Sequence, residues 1–182
     1  GAQISSCQRA APGAIERVLA PFVSDSGLIR SAVVWRTSAE GPDAVVALGP
    51  PSSLAALPAE RRLAVLRDLQ PGGTGVVDLT AEPDRALGLA VVDDAGGVRF
   101  VTYLEVALPD DPSDLDVLGG ALPGLEYAAY LGDQPEAERV LLASTAALPL
   151  EGRTATVRAS VGDRPILMVL TPERRLGTGL LL

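Results

Sequence analysis

Arg99, Tyr103 and Glu105 recur at even spacing within VRFVTYLEVAL, residues 98–108. In an extended strand even spacing puts side chains on one face. Guanidinium and phenol donors beside a carboxylate acceptor can grip a small polar ligand on a concave sheet face. The same pattern also suits a stripe facing solvent. Trp35 and Arg36 close an earlier apolar run and supply an aromatic wall and a further donor, although Trp35 suits core packing equally well. Tyr127 and Tyr130 differ by three positions, so in a strand they face opposite sides and at most one joins a given pocket. The candidate ligand-binding set is Trp35, Arg36, Arg99, Tyr103, Glu105 and Tyr127.

Most enzyme chemistry lacks its parts. The chain has no His and no Lys, and all 15 basic residues are Arg. That removes Ser-His-Asp and Cys-His arrangements, imidazole zinc sites, the P-loop lysine and Schiff-base chemistry. Gly72, Gly73 and Gly75 flank Thr74 in a run that resembles a phosphate-cradling loop, but it precedes an expected strand, whereas a dinucleotide fingerprint follows one. Asp110, Asp111, Asp114 and Asp116 form the densest acidic cluster. Calcium favours several carboxylates, yet the spacing is not that of an EF-hand, and caps and first-turn acids of a short helix explain it. Asp93 and Asp94 read as a turn pair. No two carboxylates are placed persuasively for acid–base hydrolysis. The expectation is a non-catalytic fragment with no metal and no cofactor.

A length of 182 residues favours one domain, residues 1–182, with a sizeable core. The net charge of -8 and 3% aromatic content argue against nucleic acid as a partner, because phosphate needs clustered basic charge and single strands need stacking platforms. Cys7 is the only cysteine, so no intrachain disulfide forms. No run of 18 apolar residues exists to span a bilayer, and no signal peptide is visible. The start at Gly1-Ala2 without Met reads as a processed terminus.

Periodicity and punctuation then place the elements. Ile15, Val18, Leu19 and Phe22 share one helical face, and Pro21 ends or kinks that helix near Ala20. An earlier helix capped by Ser5 or Ser6 is interrupted by Pro12-Gly13. Strands are expected over 28–37, 44–48, 75–80, 86–92, 98–108, 125–131 and 139–145. Helices fall over 58–69 and 110–118, with Ser52 or Ser53 and Asp111 as caps. A closing hairpin pairs 154–161 with 164–171 across Gly162-Asp163. In its first strand Thr154, Thr156, Arg158 and Ser160 alternate with Ala155, Val157, Ala159 and Val161, giving one wetted face and one buried face. The fold class is α+β, a mainly antiparallel sheet with an N-terminal helical segment over 1–24, a sheet core over 28–172 and an exit over 173–182.

Three segments in order carry a resemblance: FVTYLEVALP (100–109), LEYAAYLGD with LLAST (125–133 and 141–145), and LPLEGRTATVRASVGDRPILMVLTP (148–172). Together they resemble the CHASE family of extracellular sensing domains in bacterial and plant signalling proteins. The part before them, through GVVDLT and LGLAVVDD, fits more loosely. The resemblance implies a PAS-like sheet outside the cell membrane, flanked by transmembrane helices outside this fragment. It implies a small-molecule ligand, a homodimer in the full-length receptor and a cytoplasmic output such as a histidine kinase of a two-component system or a diguanylate cyclase. Ala155 stands where members commonly carry an aromatic, and the long N-terminal helix is cut short at Gly1. No family ligand residue transfers to a position here. The alternative expectation is a structural or protein-interaction ectodomain without a small ligand.

Overall fold

The computed structural model describes residues 12–23, 29–38, 41–95, 97–114 and 122–173. Among them the chain is α+β, with short helices and nine strands shared between two antiparallel sheets. Cys7, the early helix, Asp116 and the exit beyond residue 173 lie outside the described residues. Two compact units emerge: residues 1–108 with the turn 161–164, and residues 109–160 with 165–182.

The first unit opens with α1 (Pro12–Leu19). Its Pro12 occupies a first-turn position, where a missing N–H costs nothing. The helix gives way to a 3-10 turn, Ala20–Phe22, because Pro21 cannot extend the hydrogen-bond ladder. Strands β1 (Ile29–Ser38), β2 (Gly41–Leu48), β3 (Thr74–Leu79), β4 (Ala86–Ala95) and β5 (Val98–Ala107) form a sheet of order β2-β1-β5-β4-β3. Asp93 and Asp94, expected in a turn, instead lie within β4, because pairing with β5 continues through Asp93↔Phe100 and Asp94↔Arg99 to Ala95↔Val98. Helices α2 (Ser53–Ala56) and α3 (Ala59–Asp68) cross between β2 and β3 in sequence. Ser52 caps α2 by accepting from the Ala55 N–H at 3.1 Å. The chain leaves α3 through Pro71 and Gly72, whose φ of +87° suits glycine.

One face of this sheet carries the core. Val33 and Trp35 of β1 and Val101 and Tyr103 of β5 pack beneath Leu54, Leu57, Leu66 and Leu69. Leu54 and Leu66 have no exposed surface. Each such burial stabilises by roughly 1.5–3 kcal/mol. Gly88 of β4 sits against the Tyr103 ring: a Cβ there would clash with Cε2 and lie 2.7 Å from the hydroxyl oxygen. The absence of a side chain at 88 is what lets the ring lie flat on the sheet.

The second unit holds β6 (Leu125–Leu131), β7 (Val140–Ala143), β8 (Ala155–Val161) and β9 (Arg164–Pro172), in the order β7-β6-β9-β8. Gly162 turns the closing hairpin at φ +54°. The helix expected from residue 110 is, over the described residues, a single 3-10 turn, Pro112–Asp114. Asp111 does cap it, accepting from the Ser113 N–H at 2.9 Å and the Ser113 hydroxyl at 2.7 Å. These bonds hold its carboxyl below the usual range. On β6 and β9, Ala128, Tyr130, Leu167 and Val169 form one apolar patch with Val140 and Ala143 of β7, and Leu148 and Leu150 pack on it. The expected buried face of β8 is not found. Residues 155–160 are exposed on both faces, Val157 to 53%. Alternation fixed which side chains share a face, but β8 is the edge strand, where no layer covers either side.

Replacing Gly88 with Ala is expected to lower stability by about 1–3 kcal/mol, since the buried Tyr103 has nowhere to move. Gly73→Ala, with nothing within 4 Å of the added Cβ, is the control. Urea denaturation followed through Trp35, the single tryptophan, reads the first unit directly. Equal midpoints for the two variants would show that the ring is not fixed against β4.

Candidate functional site

Two clusters of polar side chains have contrasting character, one in each unit. In the first unit Glu105 has no exposed surface. The Ser53 N–H donates to both of its oxygens, at 3.0 and 2.8 Å. Tyr103 donates its phenol proton to Oε2 at 2.8 Å, and Arg30 Nη2 donates to Oε1 at 2.8 Å. The Ser53 hydroxyl lies 3.2 Å from Oε1 and 3.1 Å from the Asp84 carbonyl oxygen, so its one proton serves one of them at a time. Arg30 also donates to that hydroxyl at 3.0 Å.

This geometry follows from the local sequence. Ser52 starts α2, which aims the next N–H at the sheet. The β1–β5 pairing brings Ser31 opposite Glu105 and Val33 opposite Tyr103. Burial, then the neighbouring Glu105 charge and its hydrogen bond, raise the Tyr103 pKa well above the ordinary phenol value, against the opposing pull of Arg30. The phenol therefore stays a donor. Glu105 meets donors on both oxygens, which makes this cluster a clamp between α2, β1 and β5.

The other residues singled out from sequence are dispersed. Trp35 lies in the core on the same face as Tyr103, with the Arg62 guanidinium carbon 5.4 Å from its ring centroid. Arg36 is on the opposite face of β1 and pairs with Asp43 at 2.9 Å, both side chains more than half exposed. Arg99 shares the Tyr103 face but holds Asp94 through two bonds, 2.8 and 3.1 Å. Its hydrogen bond lowers the Asp94 pKa. Tyr127 is fully buried in the other sheet, where its N–H donates to the Ser144 hydroxyl at 2.8 Å. The structure thus joins Tyr103 with Glu105, keeps Trp35 in the same core, and separates Arg36, Arg99 and Tyr127 from them.

In the second unit several polar side chains line a groove. A half-open groove of about 270 Å³ lies on the face of the second sheet that carries Tyr130. Its floor is Tyr130 of β6 with Leu167 and Val169 of β9, where Tyr130 stands opposite Leu167. Thr154, Thr156 and Arg158, at alternate positions entering and along β8, form one bank. Asp133, Gln134 and Pro135 form a second, after Gly132 turns the chain at φ +117° and donates its N–H to the Pro165 carbonyl at 2.8 Å. Pro149 and Leu150 close a third side.

The side chains of Tyr130, Asp133, Thr154, Thr156 and Arg158 make no hydrogen bond or ion pair among the described residues. Burial raises the Tyr130 pKa, so its hydroxyl is neutral and able to donate at physiological pH. An apolar floor with a few convergent, unanswered polar groups is the arrangement of a small-molecule site. Sequence reasoning did not assemble this groove. Its traces were the wetted alternation of Thr154, Thr156 and Arg158 and the opposite facing of Tyr127 and Tyr130; Tyr130 is the one that lines the groove.

The Tyr103 clamp has a pH signature. Its raised folded pKa means that its contribution is fully present below the unfolded value of 10.0 and is lost as pH rises above it. Urea midpoints of the wild type are expected to fall in that alkaline range, and Tyr103→Phe to flatten the fall. An unchanged slope in the variant would show that the phenol is not held protonated by its surroundings. No family model, curated protein or solved structure significantly matches this chain.

Proposed function

We propose that this chain is a non-catalytic ligand-sensing domain, displayed outside the cell as part of a membrane-anchored signalling protein, with its ligand seated in the groove of the second sheet. The observation that carries the reading is the groove itself: an apolar floor ringed by polar side chains that have no partner among the described residues. The Glu105 cluster is a poor alternative, because the carboxylate is enclosed and both its oxygens are taken by Ser53, Tyr103 and Arg30. The atoms beside it without a partner among the described residues, Arg30 Nε and the Ser31 hydroxyl, are themselves buried. The resemblance of residues 100–172 to CHASE domains supports the sensing role, the homodimer and a kinase or cyclase output. No helix among the described residues is long and apolar enough to cross a membrane, so in this reading the anchors belong to flanking sequence. Signalling would be a population shift, with the ligand binding one of two states more tightly.

A second reading, an interaction ectodomain without a small ligand, is favoured by β8. This strand is exposed on both faces and has one unpaired edge, a template on which an extended segment can add.

A thermal-shift screen of metabolites separates the two. Hits are expected that stabilise the wild type and Arg36→Ala but lose their effect on Thr156→Trp, whose indole fills the groove. Hits indifferent to Thr156→Trp would exclude the groove, and no hits at all would favour the interaction reading.

A further inference from the structure

The chemistry of the groove narrows its occupant. Its walls carry one cation, Arg158, and one anion, Asp133. Neither is in an ion pair, with each other or with any other described residue. Opposite charges that line one groove without bridging it leave room for a ligand that carries both complements. A guanidinium presents a planar fork that matches a carboxylate, and a carboxylate accepts readily from an ammonium group.

Three further observations restrict the class. The chain carries a net charge of -8, so a multiply charged anion such as a nucleotide is repelled at long range. A ligand of no net charge escapes that penalty. The volume of about 270 Å³ falls below the roughly 300–1,000 Å³ typical of drug-sized ligands, which favours a small molecule. The floor of Leu167 and Val169, with Leu150 at one side, offers an apolar surface for an aliphatic group, while Tyr130 and the two threonines supply neutral hydrogen bonds.

We infer that the groove binds a small zwitterion with an apolar body, of the α-amino-acid class, with its carboxylate on Arg158 and its ammonium on Asp133. This rests on the groove being the ligand site. The mode needs no covalent step and no cofactor.

Isothermal titration and ligand-observed NMR with L-leucine, isocaproate and isoamylamine test it, the last two being leucine without its amine and without its carboxylate. L-Leucine is expected to bind most tightly, and each analogue about tenfold or more weakly, the scale of one hydrogen bond to a charged group. Arg158→Gln is expected to bring leucine down to the level of isoamylamine and to leave isoamylamine unchanged. Asp133→Asn is expected to do the same relative to isocaproate. Both side chains are exposed, so the variants should fold, which circular dichroism checks. Equal binding of the three compounds, or leucine affinity unmoved by either variant, overturns the zwitterion. So does absence of leucine binding while other compounds bind in a manner that Thr156→Trp abolishes, an outcome that leaves the groove standing. Binding that survives Thr156→Trp removes the groove and the zwitterion together.

Discussion

Glu105 is a carboxylate with no exposed surface, and an ionised carboxylate taken out of water without partners costs many kcal/mol. Much of the first unit answers that demand. Ser52 caps α2 so that the Ser53 N–H reaches both carboxylate oxygens. Arg30 supplies the countercharge from the neighbouring strand, and Tyr103 supplies a phenol proton from the same face of β5. Gly88 in turn has no side chain because the Tyr103 ring occupies that space. Removing any one donor would leave a buried charge less well answered, so helix position, strand pairing and ring packing are coupled through a single group.

The second sheet has the opposite economy of polar groups. Its apolar patch sets Ala128 opposite Ala143 and Tyr130 opposite Leu167, and Leu148 and Leu150 pack on it. Toward the edge strand β8 that cover stops, and the same face continues as a groove whose Thr, Tyr, Arg and Asp side chains find no partner among the described residues. Buried polar groups that are fully satisfied make a rigid support, whereas accessible ones left open are available to a ligand. Glu105 and Tyr130 are both buried, but the carboxylate is held by three neighbours, whereas the Tyr130 side chain has no hydrogen-bond partner among the described residues.

Arg99, Tyr103 and Glu105 illustrate how far residue patterns reach. Their shared face was legible from even spacing, since a strand alternates sides whatever surrounds it. That this face would be the buried one was not, because it contains a Glu, and the groups that make its burial tolerable stand 52 and 75 residues away in the chain. Arg99, on the same face, instead holds Asp94 near the hairpin end, a contact five residues away. β8 fails in the other direction. Its Ala and Val positions read as a buried face, yet an edge strand has nothing to bury them against.

What the amino-acid order determined by itself is local: the α+β class, the strand from Leu125 to Leu131, the end of α1 just before Pro21, a serine cap at 52 or 53 and the glycine turn at 162. These follow from backbone geometry and from side-chain effects within a few residues. Only the tertiary structure decided that the strands divide between two sheets, that Glu105 is enclosed, and that Tyr130, Asp133 and Arg158 meet around one groove. Such facts depend on which distant segments pair and on what covers each face, and alternation along a strand is identical whether the strand lies at the centre of a sheet or at its edge.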